Sequence, residues 1–169
     1  MFTLIFGKKN KKGNIAVNLS LVDGIDSYIK GAAVELSIDD ENGRIAVVPR
    51  AYKNLPTVYI KIEQLIAANV VTEEEIIEKS KSTVGRALVG GVILGPLGAI
   101  VGGMSGIGNK VKSNTKYYMV INYNSLEGET KVLSFEIVGA SLHWGTFIKE
   151  LRSRVNPNLQ MNIEKELYL

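Results

Sequence analysis

The chain has 169 residues, of which 46% are hydrophobic and 22% charged, and this composition argues against a disordered or fibrous protein. It contains no cysteine and a single histidine, His143, so disulfides, thiol catalysis and Cys- or His-based metal sites are not expected. The formal charge of +3 is a slight bias toward anionic partners. We therefore expect one compact domain that is not an enzyme and holds no cofactor or metal ion.

The first part of the chain predicts β-strands. Apolar and polar residues alternate over residues 14–19, which is typical of a half-buried strand. Residues 34–38 and 44–48 are predicted to form a hairpin, because the Asn42-Gly43 pair between them favours the positive φ angles of a tight turn.

The next part begins with a predicted strand over residues 58–62 and continues with an ambiguous stretch, residues 64–79. Thr72 and Glu75 match a capping box, which indicates the start of a helix. The β-branched residues of the stretch, such as Ile76, do not share one helical face and favour a strand. We predict a strand here.

The C-terminal part predicts a hairpin followed by a helix. Residues 116–123 and 131–137 alternate in polarity and are joined by a polar turn. A helix is predicted to begin near Ser141, a suitable N-cap, and to end before Pro157. Its apolar residues recur at helical spacing and form one stripe: Trp144, Phe147, Ile148, Leu151 and Val155. We expect Trp144 to be a core anchor.

These elements together predict a mainly β (α+β) fold. Because every element before the last helix is read as β, we expect a strongly bent sheet or barrel capped by that helix. Residues 1–155 are predicted to form this single domain, with residues 156–169 as a C-terminal tail.

One segment, residues 85–109, is rich in glycine and apolar residues. It holds roughly half of the 17 glycines and no charged residue between Arg86 and Lys110. As a single helix the uncharged part would be about 34 Å long, enough to cross a bilayer core. Gly95-Pro96 interrupts it, however, because proline lacks an amide donor. We therefore predict two short helices folded as a hairpin.

This glycine-rich segment has small residues at a spacing that would let helices approach closely. One series comprises Ala87, Gly91, Gly95, Ala99 and Gly103, and a second comprises Gly98, Gly102 and Gly106. The segment also carries many large apolar side chains, and leaving them in water would forgo on the order of 15 kcal/mol. It must therefore pack on its own domain, on a second copy or in lipid, and the sequence leaves these three open.

Basic residues lie in an N-terminal loop and on both sides of the glycine-rich segment. A helical hairpin with both ends on one side of a membrane predicts such symmetry. We identify these residues as candidate contacts to an anionic membrane surface: Lys8, Lys9, Lys11, Lys12, Arg86, Lys110, Lys112 and Lys116.

Two enzyme-like motifs in the same segment are incomplete. Residues 103–110 are similar to a phosphate-binding loop, but Asn109 separates the glycine from the lysine, and Val111 stands where Ser or Thr is required. The tripeptide at residues 103–105 is similar to a nucleophile elbow, but Ile107 replaces the second glycine. No catalytic residue is assigned.

The chain resembles the bacterial and phage pleckstrin-homology-like domains that carry a glycine-rich insertion. The resemblance lies in residues 85–91 and 95–103, in the strand over residues 118–123 and in the strand with Phe135. It implies a bent β-sandwich or barrel capped by a C-terminal helix, on which Trp144 is similar to the tryptophan of the wider superfamily. It also implies binding to lipid headgroups or proteins, without catalytic residues.

Two functions therefore remain open. The first is a non-enzymatic, membrane-associated binding or assembly module whose glycine-rich hairpin contacts lipid or self-associates. The second is a soluble adaptor that binds a peptide or an anionic ligand, with the hairpin buried in its own fold or in a dimer interface. Candidate partners are membrane lipid, a second copy or another protein, and nucleic acid is not expected because the basic residues are scattered.

The expected location is the cytoplasm, with membrane association left open. The chain begins with residues 2–6, which are apolar or neutral, and continues with a basic loop, which is the reverse of the order in a secretory signal.

Overall fold

The structure is a computed structural model and describes residues 9–81, 88–105 and 115–156. The strands are β1 (Ile15–Asp23), β2 (Ala33–Asp39), β3 (Arg44–Pro49), β4 (Val58–Lys61), β5 (Leu65–Thr72), β6 (Leu88–Val89), β7 (Val92–Ile93), β8 (Tyr117–Asn124) and β9 (Thr130–Glu136). The helices are α1 (Glu73–Ser80), α2 (Leu97–Ser105) and α3 (Trp144–Arg152). Residues 2–6 and the C-terminal tail from residue 157 lie outside the described residues.

Seven of these strands form one antiparallel sheet in the order β4-β3-β2-β1-β9-β8-β5, and β6 and β7 form a separate two-stranded hairpin. The main core lies between one face of the large sheet and α3. Alternate residues of the strands, such as Leu19 and Phe135, are buried there with Phe147 and Leu151 of the helix. The predicted mainly β fold with a C-terminal helical cap is confirmed.

Both predicted hairpins of the sheet are present. In the first, Asp39 of β2 lies opposite Arg44 of β3, and Gly43 in the turn has a φ of 62°. In the second, Asn124 of β8 lies opposite Thr130 of β9.

The stretch predicted as a strand over residues 64–79 changes from strand to helix after Thr72. The Thr72 hydroxyl accepts a hydrogen bond from the Glu75 amide at 3.1 Å, and the Glu75 carboxylate accepts one from the Thr72 amide at 2.8 Å. The strand prediction is therefore wrong beyond Thr72. The capping box starts α1 because it satisfies amides that would otherwise lack partners. Ile76 is the residue that α1 buries.

Helix α3 begins later than predicted, and Ser141 is not its N-cap. His143 occupies the cap position with a φ of 62° and makes no side-chain capping bond. The Ser141 hydroxyl instead accepts a hydrogen bond from the Val138 amide and donates one to the Asn18 carbonyl. Ser141 therefore fixes the loop that leads into the helix against β1.

Candidate functional site

The described part of the glycine-rich segment, residues 88–105, forms a β-hairpin followed by one helix. Gly90 and Gly91 make the turn between β6 and β7 with φ angles of 56° and 82°. Two consecutive residues with positive φ cannot continue a right-handed helix, so the prediction of two helices is wrong for the first half. Helix α2 follows Gly95-Pro96, and the Pro96 carbonyl accepts its first hydrogen bond from the Ile100 amide at 3.1 Å.

This segment covers the face of β5 and β8 opposite α3 and forms a second core there. The sheet contributes the neighbouring side chains of Tyr118 and Val120, which alternate with the main-core residues of β8. The buried apolar residues contributed by the segment are Val89, Val92, Leu94, Leu97 and Val101. Most of its described large side chains are therefore buried within the chain's own fold.

Two asparagine side chains on this face hold the hairpin. Asn122 is fully buried, and its amide nitrogen donates to the Ile93 carbonyl at 2.9 Å while its oxygen accepts from the Ile93 amide at 2.7 Å. Asn69 donates to the Gly90 carbonyl at 2.7 Å. Because leaving the buried Asn122 amide without a partner would cost about 1–3 kcal/mol, its two bonds fix where the hairpin lies on the sheet, and the more exposed Asn69 bond adds to them.

Glycines allow the segment to approach its neighbours closely. A Cβ at Gly90 would collide with the Asn69 amide, and a Cβ at Gly95 would lie 2.9 Å from a Val132 methyl group. A Cβ at Gly98 would collide with the Ser80 hydroxyl at the end of α1. Gly98 therefore permits close packing of α2 on α1 within one chain.

The opposite side of α2, which we call its outer face, carries small residues. Ala99 and Gly103 are exposed and Gly102 is half-buried. A Cβ built at Gly103 would meet no described atom within 4 Å, and α2 contains no charged residue. A helix face that contacts only water is usually polar, so the outer face has the character of a packing surface.

The two predicted series of small residues do not form continuous ridges on one helix. Gly91 and Gly95 lie in turns, whereas Ala99 and Gly103 lie on α2. Gly98 faces inward to α1. Ala87 and Gly106 lie outside the described residues.

Only some of the predicted basic contacts lie in the described part of the chain, and those are exposed: Lys9, Lys11, Lys12 and Lys116. Both β1 and β8 are antiparallel to β9, so they run in the same direction, and the lysines precede these two strands. They therefore lie toward the same end of the sheet. The other predicted contacts lie outside the described residues: Lys8, Arg86, Lys110 and Lys112.

Trp144 lies at the margin of the main core. It is half-buried and stacks on Tyr117, with ring centroids 5.9 Å apart and planes at 28°. Phe147 and Leu151 occupy the fully buried positions of α3. Part of the indole therefore faces solvent.

A groove of about 590 Å³ separates α1 from the β6–β7 hairpin. Its α1 wall carries three glutamates and one lysine, and its hairpin wall is apolar; the lining residues are Glu74, Glu75, Glu78, Lys79, Leu88, Val89 and Gly90. Such a groove has the chemistry to accept a cationic side chain with an apolar stem.

Sequence analysis missed Asn69, Asn122 and Tyr117 as residues that organise the site. The one available signal was the position of Asn122 in an otherwise apolar alternation on β8. None of the described helices is long and apolar enough to cross a membrane. Within the described ranges, no cluster of His, Asp and Glu could hold a metal ion.

Comparison with protein families shows a match over most of the chain. A family model described as "Glycine zipper containing PH domain" matches residues 26–136, which include the sheet from β2 onward and the whole glycine-rich segment. No curated protein and no solved structure matched the chain.

Proposed function

The chain belongs to the family of PH domains that contain a glycine zipper, and from this membership we propose that it is a non-enzymatic binding and assembly module that associates with membranes. The observation that carries the proposal is the two-sided character of α2. Leu97, Gly98 and Val101 face the domain and are buried, whereas Ala99 and Gly103 face outward. The inner side attaches the segment, and the outer face is available to a second copy.

Energetics supports an intermolecular role for the outer face. A glycine in a helix costs about 1 kcal/mol relative to alanine. At Gly98 the glycine is explained by the contact with Ser80, because a side chain there would collide. At Gly103 no described atom would contact a side chain, so no described contact explains the glycine. A second helix could approach α2 closely at Gly103 because no side chain stands there, and small residues let backbones pack tightly. The assembly contact is therefore α2 against α2 of another copy.

Exposed lysines favour membrane association. Lys9, Lys11, Lys12 and Lys116 lie toward one end of the sheet, and each cation near an anionic bilayer contributes about 1 kcal/mol at low salt. The contribution falls with ionic strength because the charges are exposed.

The alternative is a soluble adaptor, and two observations favour it. The glycine-rich segment already buries most of its described large apolar side chains in the second core. The groove beside α1 has one wall with three glutamates and one lysine and a second wall that is apolar, and this net negative charge fits a basic peptide better than an anionic ligand. In this function the outer face of α2 is ordinary surface and the partner enters the groove.

The two functions are distinguished by the mass of the intact chain in solution as a function of concentration, measured by light scattering. Gly103→Leu is expected to weaken self-association at least tenfold, because the leucine blocks close approach. Gly145→Leu is the matched control. Gly145 is also helical and exposed, and no described atom lies within 4 Å of a Cβ built there. A wild-type chain that stays monomeric at all concentrations would contradict assembly and favour the adaptor.

A further inference from the structure

An exposed apolar patch lies where β8 begins and α3 begins. Its members are Tyr117, Val138, Leu142 and Trp144, and we call it the aromatic patch. Tyr117, Val138 and Leu142 are 40%, 37% and 61% exposed, and Trp144 is half-buried beneath the stacked Tyr117 ring. Three large apolar side chains in water at one place are unusual for an ordinary surface, where such residues are scattered singly.

The aromatic patch is held in a fixed arrangement. The Ile137 amide donates to the Tyr117 carbonyl at 2.9 Å, which ties the loop before α3 to β8. The Ser141 hydroxyl bonds both the Val138 amide and the Asn18 carbonyl, so it ties the same loop to β1. The side chains are therefore presented by a structured loop, which reduces the backbone ordering cost when a partner binds.

The patch itself is uncharged and has exposed cations beside it. Residues 137–148 contain no Asp, Glu, Lys or Arg, although several of them are exposed. The nearby carboxylates lie toward the other face of the sheet. Glu136 lies opposite Tyr118 of the second core, and Glu73, whose amide donates to the Lys116 carbonyl, begins α1, which packs on that core through Ile76. Exposed cations lie on both sides: Lys116 precedes Tyr117, and Lys149 lies on the next turn of α3.

We propose that the aromatic patch is the point at which the domain rests on an anionic lipid bilayer. Tyr and Trp have an apolar body and a polar tip, and they prefer the headgroup level of membranes. Leu142 and Val138 would enter the upper acyl region, and Lys116 and Lys149 would lie among lipid phosphates. This inference rests on the membrane association proposed above and names the surface that makes the contact.

The tryptophan itself supplies the test, because Trp144 is the only tryptophan of the chain. The intact chain is mixed with vesicles of phosphatidylcholine and phosphatidylglycerol in equal parts, or of phosphatidylcholine alone. With the anionic vesicles we expect co-sedimentation, a blue shift of the emission and weaker quenching by acrylamide. Neutral vesicles should give a much smaller effect, and added salt should reverse it.

Two leucine variants locate the contact. Leu142→Ser is expected to weaken binding to the anionic vesicles about tenfold, since it removes an exposed apolar side chain without touching either core. Leu126→Ser is the matched control, because Leu126 is 90% exposed in the turn between β8 and β9, at the opposite end of these strands. It should bind like the wild type.

Each contrary result has a definite meaning. If the wild type sediments but Trp144 emission is unchanged and Leu142→Ser binds normally, the patch is overturned as the contact while membrane association stands. A blue shift that appears without lipid, on raising the protein concentration, would assign the patch to contact between copies. If the wild type sediments with neither vesicle, membrane association itself is wrong.

Discussion

The contact between α1 and α2 offers a test of why this segment is rich in glycine. Replacing Gly98 by alanine adds one methyl group to α2, directed at Ser80 on α1. That methyl group would collide with the Ser80 hydroxyl and would lie 3.0 Å from the Ser80 Cβ. The Ser80 hydroxyl is buried and has no hydrogen-bond partner in the described structure.

Two opposing effects set the magnitude. Alanine is the better helix former by about 1 kcal/mol. Overpacking a close contact costs about 1–3 kcal/mol. The Ser80 hydroxyl must rotate out of its buried position, and the Ser80 Cβ still lies only 3.0 Å away. We therefore expect the second effect to dominate, and Gly98→Ala should lower the free energy of unfolding by about 1 kcal/mol.

Removal of the hydroxyl should reverse the result. Ser80→Ala alone is expected to raise the free energy of unfolding by about 1 kcal/mol, because it removes a buried polar atom without a partner. In the Ser80→Ala background, Gly98→Ala should be neutral or stabilising, since the colliding atom is gone and the helix preference remains. The two residues should therefore show a coupling energy of about 1–2 kcal/mol.

The assay is urea denaturation of the wild type, the two single variants and the double variant, followed by circular dichroism. Equal slopes with denaturant would show that the folded and unfolded states are comparable among the four proteins. If Gly98→Ala stabilises the chain equally in both backgrounds, α1 and α2 are not in close contact and the explanation of Gly98 fails.

Two further predictions concern the second core. Asn122→Ala should lower the free energy of unfolding by about 2–4 kcal/mol, because the Ile93 amide and carbonyl lose their partner. Asn69→Ala should cost less, because it removes only one bond to the hairpin, at a more exposed position, and one local bond from the Val70 amide. Urea denaturation compares the two variants. Burial raises the pKa of Tyr118 from 10.0 to about 12, so the folded state favours the neutral phenol; stability should be unaffected below pH 10.0 and should fall as the pH rises toward 12. Tyr118→Phe should lack this part of the alkaline decline, and an equal decline in both proteins would contradict it.

Local patterns predict most of the large sheet well, and they predict the last helix with less accurate ends. Alternation places β8 and β9 within one or two residues of their observed bounds, and the Asn42-Gly43 pair places the turn between β2 and β3 correctly. These signals succeed because period-2 burial and positive φ are properties of a few adjacent residues.

The glycine-rich segment was harder to predict because its conformation depends on distant residues. Gly90 and Gly91 adopt positive φ in a hairpin whose position is set by Asn69 and Asn122 on the sheet. The spacing of residues within the segment carries no information about those two asparagine side chains. His143 likewise displaces Ser141 as the cap, because the Ser141 hydroxyl bonds the Asn18 carbonyl.

Strands β5 and β8 are buried on both faces, and this limits how the role of the glycine-rich segment can be studied. Excising the segment and bridging the gap with a flexible linker would strip the cover from Ala67, Val71, Tyr118 and Val120. The shortened protein would then carry a large bare apolar face, which is a recognised route to aggregation and to indiscriminate adhesion to vesicles. The behaviour of the shortened protein would reflect the loss of the second core and not the role of the glycine-rich segment. Single substitutions that point away from the sheet, such as Gly103→Leu, leave that cover in place and are the sounder probe.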